Sequence, residues 1–395
     1  METMTLCGWS AFRMHRVPPV ALWLALLADA DHLRRPSARG YRKAAHLLAR
    51  LGFDAPADIC APTDRLRPTT AHLNARVRKL STTTIKPVSQ PVPIPLDVLE
   101  HLGLASPPFD LRALSPEASL LSLAPRLGPE RLALAASELM GSFGIFRPTP
   151  DLQSRLSMAA RKGATSPSTV DEAGTLPRSI RREARYGRWQ QLTEPDKAPS
   201  NLWQRDPLLT HARLAAFVQD AEGLHGCDIL RGACRMAVPG TASPFEAQAA
   251  ILLGQPRRRG GEGLGTPVCN KKVVLDPGAK ALAHQAVCYC DLYFEGPRSG
   301  RRLAIECHSR TWHARGDEKR VADANRQAAL ERMGIDVMLL THEMLRDAKA
   351  LSHFVELARA KLGLRQPRDS KDLRERRERL RSAVLGVRDW EGFGL

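Results

Sequence analysis

Three strand-like runs follow one another between residues 269 and 308, and they constrain the fold of this 395-residue chain more than any other feature. The runs read CNKKVVL, AVCYCDLYF and RLAIECH, and the last two form a β-hairpin pattern. A helical pattern over 244–254 precedes them, and a helix over about 317–333, a strand IDVMLLT and a helix over 343–362 follow. This order of antiparallel strands and helices predicts an α/β (α+β) domain over 240–363.

The rest of the chain divides by composition into a mostly helical N-terminal region and three further segments. The run KPVSQPVPIP ends the N-terminal helical periodicity, and it predicts an extended boundary or an edge strand. The following stretch SPEASLLSLAPRLGPERLALAASELMG predicts two short helices divided near Pro125 and Gly128. The predicted segments are a helical region at 1–85, a linker and helices at 86–150, a basic linker and helical segment at 151–239, and a charged helix or tail at 364–395.

The apolar run PPVALWLALLADA near the N-terminus fits a buried amphipathic helix and also mimics the core of a secretory signal. We favour the helix, because the apolar residues recur at helical spacing and the positive region before the run is unusually long. No other apolar stretch approaches the length of a membrane span. We therefore expect a cytoplasmic protein with no membrane partner.

The charge balance favours a polyanionic partner. Lys and Arg number 59 against 42 for Asp and Glu, which gives a formal net charge of +17 and a pI near 10.0. Nucleic acid is the first candidate. A genome that favours Arg would give the same balance, and a scaffold whose charge is incidental is the weakest alternative.

Two arginine-rich segments are candidates for phosphate contact. In RSIRREARYGRW the arginines are interleaved with Tyr186 and Trp189, which suits a segment that tracks a phosphate backbone while its aromatics stack on bases. A solvated basic helix with both aromatics turned to the core fits equally well. The second segment, RRRGGEGLG, predicts a flexible basic loop. The candidate nucleic-acid-binding residues in these segments are Arg181, Arg182, Arg185, Arg257, Arg258 and Arg259.

The eight cysteines are spread along the chain without a pair of CxxC motifs, which argues against a zinc ribbon. Alternation along a strand puts Cys288 and Cys290 on the same face as Leu292 and Phe294. Free cysteine packs as a small hydrophobe, so we expect these cysteines to fill the core and not to bind a metal.

Two acidic residues, Asp291 and Glu306, fall on the other face of the hairpin. By alternation Asp291 lies beside Tyr289 and Tyr293, and Glu306 lies beside Ala304 on the partner strand. Neighbouring strands lie about 4.8 Å apart, close enough for the two carboxylates to hold one divalent cation. Mg²⁺ prefers oxygen ligands, so this pair and a substrate phosphate would suit phosphodiester hydrolysis. A solvent-facing polar face is the alternative.

A helix with Glu, a strand with Asp, a strand with Glu-x-His and then a helix is an order that resembles the PD-(D/E)xK nuclease superfamily over about residues 240–345. The segment looks most like DUF559-type domains and the very-short-patch repair endonucleases. The resemblance implies a restriction-endonuclease-like fold and a Mg²⁺- or Mn²⁺-dependent endonuclease that acts on DNA phosphodiester bonds. Its motifs are SPFEAQ, CDLYF, AIECHSRTWH and DANRQAALERMGIDVMLLT, with Asp323, Arg326, Leu330 and Gly334 recurring at the family spacing.

The resemblance also implies a role for each catalytic candidate. Asp291 and Glu306 would bind the metal, and Glu246 would orient or share it. His313, in an aromatic-His pair after the second strand, would act as general base or polarise the phosphate. His308 stands where the superfamily has lysine, so it either substitutes as base or ligand or marks a site that has lost catalysis.

Some of these residues have a simpler interpretation. Glu246 can complete a capping box with Ser243, and one carboxylate can serve both roles. Asp323 and Arg326 are three positions apart and can form an ion pair within one helix. The alternative places Arg326 against a phosphate, or Asp323 against His313.

The front of the chain, over about 1–146, is similar to AbiEi-type antitoxins and transcriptional regulators, some of which carry a DUF559-like domain at the C-terminus. The similar segments are CGWSAFRMHRVPP and the helical stretch after the extended run. This likeness implies the competing function, a non-catalytic nucleic-acid-binding regulator with a degenerate nuclease fold. Its partner would be a second copy of the chain or a cognate toxin or other protein.

Overall fold

The computed structural model describes residues 3–35, 40–53, 57–60, 89–164, 176–194, 196–308, 317–366 and 370–387. Within these ranges the chain is a mixed α+β protein with 16 α-helices and three small sheets, which confirms the predicted class. It divides into two compact units. Unit 1 comprises Met1–Pro125, Gly144–Leu192 and Asn201–Asp228, and unit 2 comprises Arg126–Phe143, Thr193–Ser200 and Ile229–Leu395.

Unit 1 contains most of the elements before residue 228. One long helix, α6, begins in this unit and ends in unit 2. In chain order the elements are β1 (Thr3–Leu6), α1 (Gly8–Met14), α2 (Pro19–Ala28), α3 (Ala30–Arg34), α4 (Gly40–Arg50), β2 (Ile59–Cys60), β3 (Ser89–Pro91), α5 (Leu96–His101), β4 (Asp110–Leu114), α6 (Pro116–Met140), β5 (Phe143–Ile145), α7 (Pro150–Ala164), α8 (Arg178–Tyr186), β6 (Gln190–Thr193), β7 (Pro199–Gln204) and α9 (His211–Asp220).

The first sheet has the order β2–β1–β4–β3, and β5, β7 and β6 form a smaller sheet in that order. In the first sheet β1 and β4 run parallel, whereas β2 and β3 pair antiparallel at the two edges. The edge position of β3 suits Pro91, because proline has no N–H to donate to a second neighbour. The proline-rich run therefore supplies an edge strand, as predicted, from Ser89 onward.

The N-terminal region is mostly helical as predicted, although the sequence did not indicate β1 and β2, which are short strands. The four residues of β1 read TMTL, with Met4 and Leu6 buried. An apolar–polar alternation of four residues also fits one turn of a helix. The sequence pattern therefore could not distinguish a short strand from a helix here. Residues 61–88, also expected to be helical or extended, lie outside the described residues.

The apolar run near the N-terminus forms α2, as predicted. Pro19 occupies its first position, where the missing N–H has no partner to lose. Every residue from Val20 to Leu26 is buried, so the core encloses the helix on all sides. The sequence prediction of an amphipathic helix was therefore wrong on this point. Trp23 Nε1 donates to the carbonyl of Pro93 at 3.1 Å. Among the described helices, none combines the length and the apolar character that crossing a membrane requires.

Unit 2 contains the elements after residue 228 together with the end of α6. Gly128 has φ +71° and breaks α6 near its middle, which confirms the predicted division into two helices. The elements are α10 (Cys227–Cys234), α11 (Pro244–Gly254), a 3₁₀ helix (Arg257–Arg259), β8 (Val268–Val274), α12 (Pro277–Ala283), β9 (Val287–Glu295), β10 (Arg302–His308), α13 (Asp317–Arg332), β11 (Ile335–Thr341), α14 (His342–Arg346), α15 (Ala348–Lys361) and α16 (Lys371–Leu385).

The sheet of unit 2 has the order β11–β10–β9–β8, with β10 and β11 parallel and the other pairs antiparallel. The pairing of β9 with β10 ends at Leu292 opposite Ile305. Beyond that pair, β9 stays with β8 as far as Val287, and β10 stays with β11 as far as His308. We call this divergence the fork; Asp291 and Glu306 are the first residues past its last pair.

Core packing in unit 2 confirms that the cysteines of β9 are core residues, but it corrects their predicted neighbours. Cys288 and Cys290 pack in one cluster with Ala304, and Tyr293 lies against the same cluster. Strict alternation had placed Ala304 and Tyr293 on the opposite face. The rule fails inside β9 itself, because Tyr293 pairs with Ala304 within the ladder and still shares the cluster of Cys288 and Cys290. The irregular point lies between Cys290 and Tyr293, beside Asn270 of β8, whose φ of +48° departs from a strand conformation.

Helix boundaries agree with the sequence prediction except near the C-terminus. The helix predicted over 244–254 is α11, and the strand IDVMLLT is β11. The helix predicted over 343–362 is two helices, α14 and α15, separated at Asp347. Asp347 Oδ1 accepts the N–H groups of Lys349 at 2.9 Å and Ala350 at 2.7 Å, so its side chain starts a new helix.

The burial of α2 can be tested by truncation of Leu26, which is 0% exposed. We expect Leu26→Ala to lower the free energy of unfolding by about 2–5 kcal/mol, because it removes apolar area and leaves a cavity. Leu96→Ala is the matched control, since Leu96 is 75% exposed and its loss should change stability by less than about 0.5 kcal/mol. Urea denaturation followed by circular dichroism measures both. Equal effects of the two substitutions would contradict a buried α2.

Candidate functional site

Glu246, in the first turn of α11, is the first acidic residue of the candidate site in chain order. Ser243 Oγ accepts the Glu246 N–H at 3.2 Å and donates to Glu246 Oε1 at 3.0 Å, which confirms the predicted capping box. Glu246 Oε2 accepts the N–H of Ala242 at 2.7 Å and the side-chain amide of Asn270 at 3.2 Å. Both carboxylate oxygens therefore accept hydrogen bonds from the protein, and the side chain is fixed in place.

Asp291 lies at the fork, and its side chain accepts a hydrogen bond from a backbone N–H of β10 beyond the last pair of the ladder. Its Oδ2 accepts the N–H of Cys307 at 2.8 Å. Cys307 follows the last pair between β9 and β10, so this N–H bonds a side chain of β9 and not a β9 carbonyl. The side chain of Asp291 thus bridges the two diverging strands and sets their separation.

Glu306 is the other acid at the fork, and it is only 5% exposed. Arg326 of α13 donates to Glu306 Oε2 in an ion pair. Glu306 Oε1 is also buried, and it has no hydrogen-bond partner among the described residues. The arginine therefore compensates one side of the carboxylate and leaves the other without a partner.

Asp323 adds a further carboxylate one turn before Arg326 on α13. Its Oδ2 is buried and has no hydrogen-bond partner within the described part of the chain. The charge of Asp323 acts on Glu306, where it raises the pKa. Arg326 reaches across to Glu306, so the ion pair that the structure shows joins α13 to β10.

The pKa shifts indicate that the acids repel one another. Burial and then the charge of Asp291 raise the pKa of Glu246 to about 7. Burial and Asp291 also raise the pKa of Glu306 to about 7, although Arg326 opposes this. Burial raises the pKa of Asp291 itself, against the Cys307 N–H and Arg326. Asp291 is therefore the centre of the cluster and acts on both glutamates.

The same negative charges also raise the pKa values of two buried thiols beside the acids. The pKa of Cys307 is raised by burial and then by the charges of Asp291, Glu246 and Glu306. The pKa of Cys269 on β8 is raised by burial and then by Glu246 and Asp291. These thiols stay protonated at neutral pH and serve as apolar packing beside the acids.

Of the two histidine candidates, only His308 lies in the part of the chain that the structure describes. His308 is the last residue of β10, is half-buried and pairs with Thr341 of β11. It lies two residues beyond Glu306, so strand alternation directs both side chains to one face. His313 and its neighbour Trp312 lie outside the described residues.

The basic segment of unit 1 is a helix with a single buried anchor, Ile180. One of its two aromatic residues is exposed, as base stacking would require, and the other is turned to the core. Tyr186 is 71% exposed with Arg185 stacked on its ring at 5.0 Å, whereas Trp189 packs against the core with Arg205 over its ring at 5.4 Å. Arg182 and Arg185 are exposed, and Arg181 is partly buried.

The second basic segment corrects the expectation of a flexible loop. Arg257–Arg259 form a 3₁₀ helix, and the chain after it is packed. Glu262 N–H donates to the carbonyl of Leu252 at 2.8 Å, and Arg376 of α16 donates to the carbonyl of Arg258 at 3.0 Å. The many glycines permit this close packing: Gly260 has φ +88°, and an added Cβ would lie 2.3 Å from the carbonyl oxygen of Arg376.

The site contains residues that sequence reasoning missed. Asn270, which holds Glu246, belongs to a run that was noted only as a strand, yet it has φ +48°. Asparagine is depleted in strands and tolerates this left-handed conformation, so its place inside CNKKVVL is the signal that could have found it. The Cys307 N–H has no such signal, because a backbone donor carries no sequence identity.

The donor set fits a hard divalent cation in part. Asp291 and Glu306 offer carboxylate oxygens on diverging strands, and within the described ranges the buried Glu306 Oε1 has no hydrogen-bond partner. Asp323 Oδ2 is a further oxygen of the same kind. Among the residues that the structure describes, no group of three or more His, Cys, Asp or Glu side chains is arranged to hold a metal. A metal here would therefore depend on few protein ligands and several waters, as Mg²⁺ commonly does.

No protein-family model, no curated protein and no solved structure matches the chain.

The raised pKa of Glu246 gives a stability prediction with a definite sign. Its ordinary value of 4.5 rises to about 7 in the folded chain, so folding binds a proton between these pH values. The contribution of Glu246 to stability is fully present below about pH 4.5 and is lost as the pH rises through about 7. We expect the free energy of unfolding to fall across this window, and Glu246→Gln to reduce that fall.

Urea denaturation at a series of pH values, with a chelator present, measures this effect. Glutamine keeps a carbonyl oxygen for the Ala242 and Asn270 donors, so the substitution removes mainly the titration. Glu100→Gln, which changes an exposed acid of α5, is the control. A Glu246→Gln variant with the same pH slope as the wild type would show that Glu246 does not titrate in this range.

Proposed function

We propose that the chain is a Mg²⁺- or Mn²⁺-dependent endonuclease that cleaves DNA phosphodiester bonds. One observation carries the proposal: Glu306 Oε1 is buried at the fork without a hydrogen-bond partner among the described residues, beside the carboxyl group of Asp291, whose pKa is raised by burial. A structural ion pair would need only Arg326. A second acid with an open oxygen is the arrangement that a cation requires.

The restriction-endonuclease-like fold is part of the same proposal. It is supported by the order of elements in unit 2: α11, antiparallel β8, β9 and β10, then α13 and parallel β11. This is the order on which the resemblance to PD-(D/E)xK nucleases was based. Glu246, Asp291 and Glu306 occupy the positions that the resemblance assigns to the active site.

In the proposed mechanism Asp291 and Glu306 would hold the metal, and the charge of Asp323 acts on Glu306 from α13. The bound metal supplies positive charge that polarises the phosphate and stabilises charge developing on its oxygens. Glu246 holds Asn270 and the start of α11 in place around the acids. Arg326 offsets the excess negative charge, and His308 is the group on β10 that can accept a proton from the attacking water.

The non-catalytic regulator is the second candidate, and the Arg326–Glu306 ion pair favours it. This pair already places a cation against one of the acids, so the fork is partly neutralised by the protein itself. His308 in place of lysine adds to this reading, because the usual fixed positive charge is absent from that position. In this case the chain binds DNA and leaves it intact.

Cleavage assays separate the two candidates. If the chain is a nuclease, Asp291→Ala and Glu306→Ala should each abolish Mg²⁺-dependent cleavage of DNA and leave binding nearly unchanged. His308→Lys should preserve or raise the cleavage rate, because it restores a fixed charge beside the scissile phosphate. Glu331→Gln, an exposed acid on α13, is the matched control and should cleave as the wild type does.

The pH profile of cleavage then tests His308 itself. A histidine base should give an inflection at about pH 6 to 7, which the His308→Lys variant should lose. If the wild type cleaves DNA at a rate that does not change with pH, His308 is not the base, although the chain is still a nuclease. Binding without any cleavage in Mg²⁺ or Mn²⁺ by the wild type and every variant would establish the regulator instead.

Nucleic-acid binding by the helix α8 is tested by its salt dependence. Arg182 and Arg185 are exposed, so the double substitution to Gln should weaken DNA binding and reduce the slope of log K against log salt by up to about 1.8. Arg374 and Arg379, exposed on α16, give a control double variant with the same change of net charge. Equal losses from both double variants would show that only total charge matters.

A further inference from the structure

Arg326 of α13 places a positive charge against both acids of the fork. It donates to Glu306 Oε2 in an ion pair in which the Glu306 side chain is 7% exposed and the Arg326 side chain 28%. Its charge also reaches Asp291: burial raises the pKa of Asp291, and the Cys307 N–H and then Arg326 oppose that rise. One guanidinium group therefore acts on both of the acids that are proposed to hold the metal.

The guanidinium group and a divalent cation oppose each other at Glu306. Arg326 bonds one oxygen of this carboxylate, and the other oxygen, Oε1, is buried without a hydrogen-bond partner among the described residues. A divalent cation on Oε1 would have the charge of Arg326 beside it, in a place where water and salt screen like charges poorly. Removal of the guanidinium charge would leave a carboxylate with its full negative charge, which is the better ligand for a hard cation.

Arg326 is also placed so that it can move away from Glu306. Its side chain is partly exposed on α13, so it already reaches water. A long arginine side chain can carry its charged end into solvent while its apolar stem stays against the protein. Such a movement leaves the helix in place and leaves Glu306 to another cation.

We propose that Arg326 is an internal counter-cation that keeps the site in its metal-free state and competes with the divalent cation for Glu306. The inference rests on the proposed function, because it takes Asp291 and Glu306 as the metal ligands. Metal loading is then an exchange in which the guanidinium group turns to solvent as the divalent cation binds. Arg326 thereby sets the metal concentration that the site requires.

Metal binding measured without nucleic acid tests this competition. The probes are Mn²⁺, followed by the electron paramagnetic resonance signal of the free ion, and Mg²⁺, followed by calorimetry. We expect Arg326→Gln to bind Mn²⁺ on the order of tenfold more tightly than the wild type, because glutamine removes the charge and keeps an N–H donor for Glu306. Arg326→Lys keeps the charge and should bind Mn²⁺ within about twofold of the wild type.

Arg332→Gln is the matched control. Arg332 lies on the same helix, and its Nε is 3.5 Å from Asp276 Oδ1 in an exposed ion pair. The substitution therefore removes the same charge and also breaks an ion pair, but away from the fork. Its Mn²⁺ affinity should stay within about twofold of that of the wild type, because exposed charges are well screened.

Urea denaturation gives a second readout, which should reverse with metal. In excess chelator Arg326→Gln should be less stable than the wild type, because Glu306 and Asp291 lose their counter-charge. In saturating Mn²⁺ this difference should disappear or change sign, because a cation that binds more tightly stabilises the folded chain more. An arginine with a merely structural role would give the same loss of stability in both conditions.

The competition is overturned if Arg326→Gln binds Mn²⁺ no more tightly than the wild type, or if Arg332→Gln gains as much affinity. It is also overturned if Arg326→Lys binds as tightly as Arg326→Gln, or if neither the wild type nor any variant binds either metal. Failure of the nuclease is a separate result. Tighter metal binding by Arg326→Gln, with no cleavage of DNA by any form of the chain, supports the competition and rejects the nuclease.

The wild type decides the question if Arg326→Gln does not fold in either condition. The ¹⁵N signal of the Arg326 guanidinium group, assigned by its loss in Arg326→Lys, should then move when Mg²⁺ is added to the metal-free chain. A signal that is unchanged in saturating Mg²⁺ would show that Arg326 stays on Glu306, and the competition would be overturned.

Discussion

Repulsion between buried carboxyl groups is the constraint around which unit 2 is arranged. Burial raises the pKa of Glu246, Asp291 and Glu306, and the charge of Asp291 raises the pKa of both glutamates further. The donors that offset the negative charge include the Ser243 cap, the Asn270 amide, the Cys307 N–H and the Arg326 guanidinium. They come from α11, β8, β10 and α13, so the acids tie together the elements that surround the fork.

The sequence predicts the elements that carry strong local signals. SPFE gives the start of α11 because a capping serine and a first-turn proline leave few alternatives, and Gly128 gives the break in α6 because only glycine adopts its backbone angles easily. The weak signals are the ones that failed. β1 is four residues long, and the break at Asp347 depends on one side chain turning back to cap α15 inside an otherwise continuous helical pattern.

The candidate site divides in the same way. Glu246, Asp291 and Glu306 could be picked out by residue type and order, and in the structure the charge of Asp291 acts on both glutamates. Alternation could not predict their surroundings, because it assumes a regular strand, whereas Tyr293 shares the packing of Cys290 and the ladder to β10 ends at Leu292. The left-handed Asn270 and the Cys307 N–H depend on the course of the backbone, which residue identity does not report.

What separates the fork from an ordinary buried polar network is that it is incompletely satisfied. A buried acceptor without a partner costs about 1–3 kcal/mol. Glu306 Oε1 and Asp323 Oδ2 have no hydrogen-bond partner in the part of the chain that the structure describes. Arg326 has donors to spare, yet it bonds Glu306 through the other oxygen. Folding alone gives no reason to keep the open oxygen of Glu306, since Arg326 already pairs with the other oxygen. In the function proposed above, a cation held by Asp291 and Glu306 would give that oxygen a partner and would lower the repulsion that adds to the raised pKa values of the cluster.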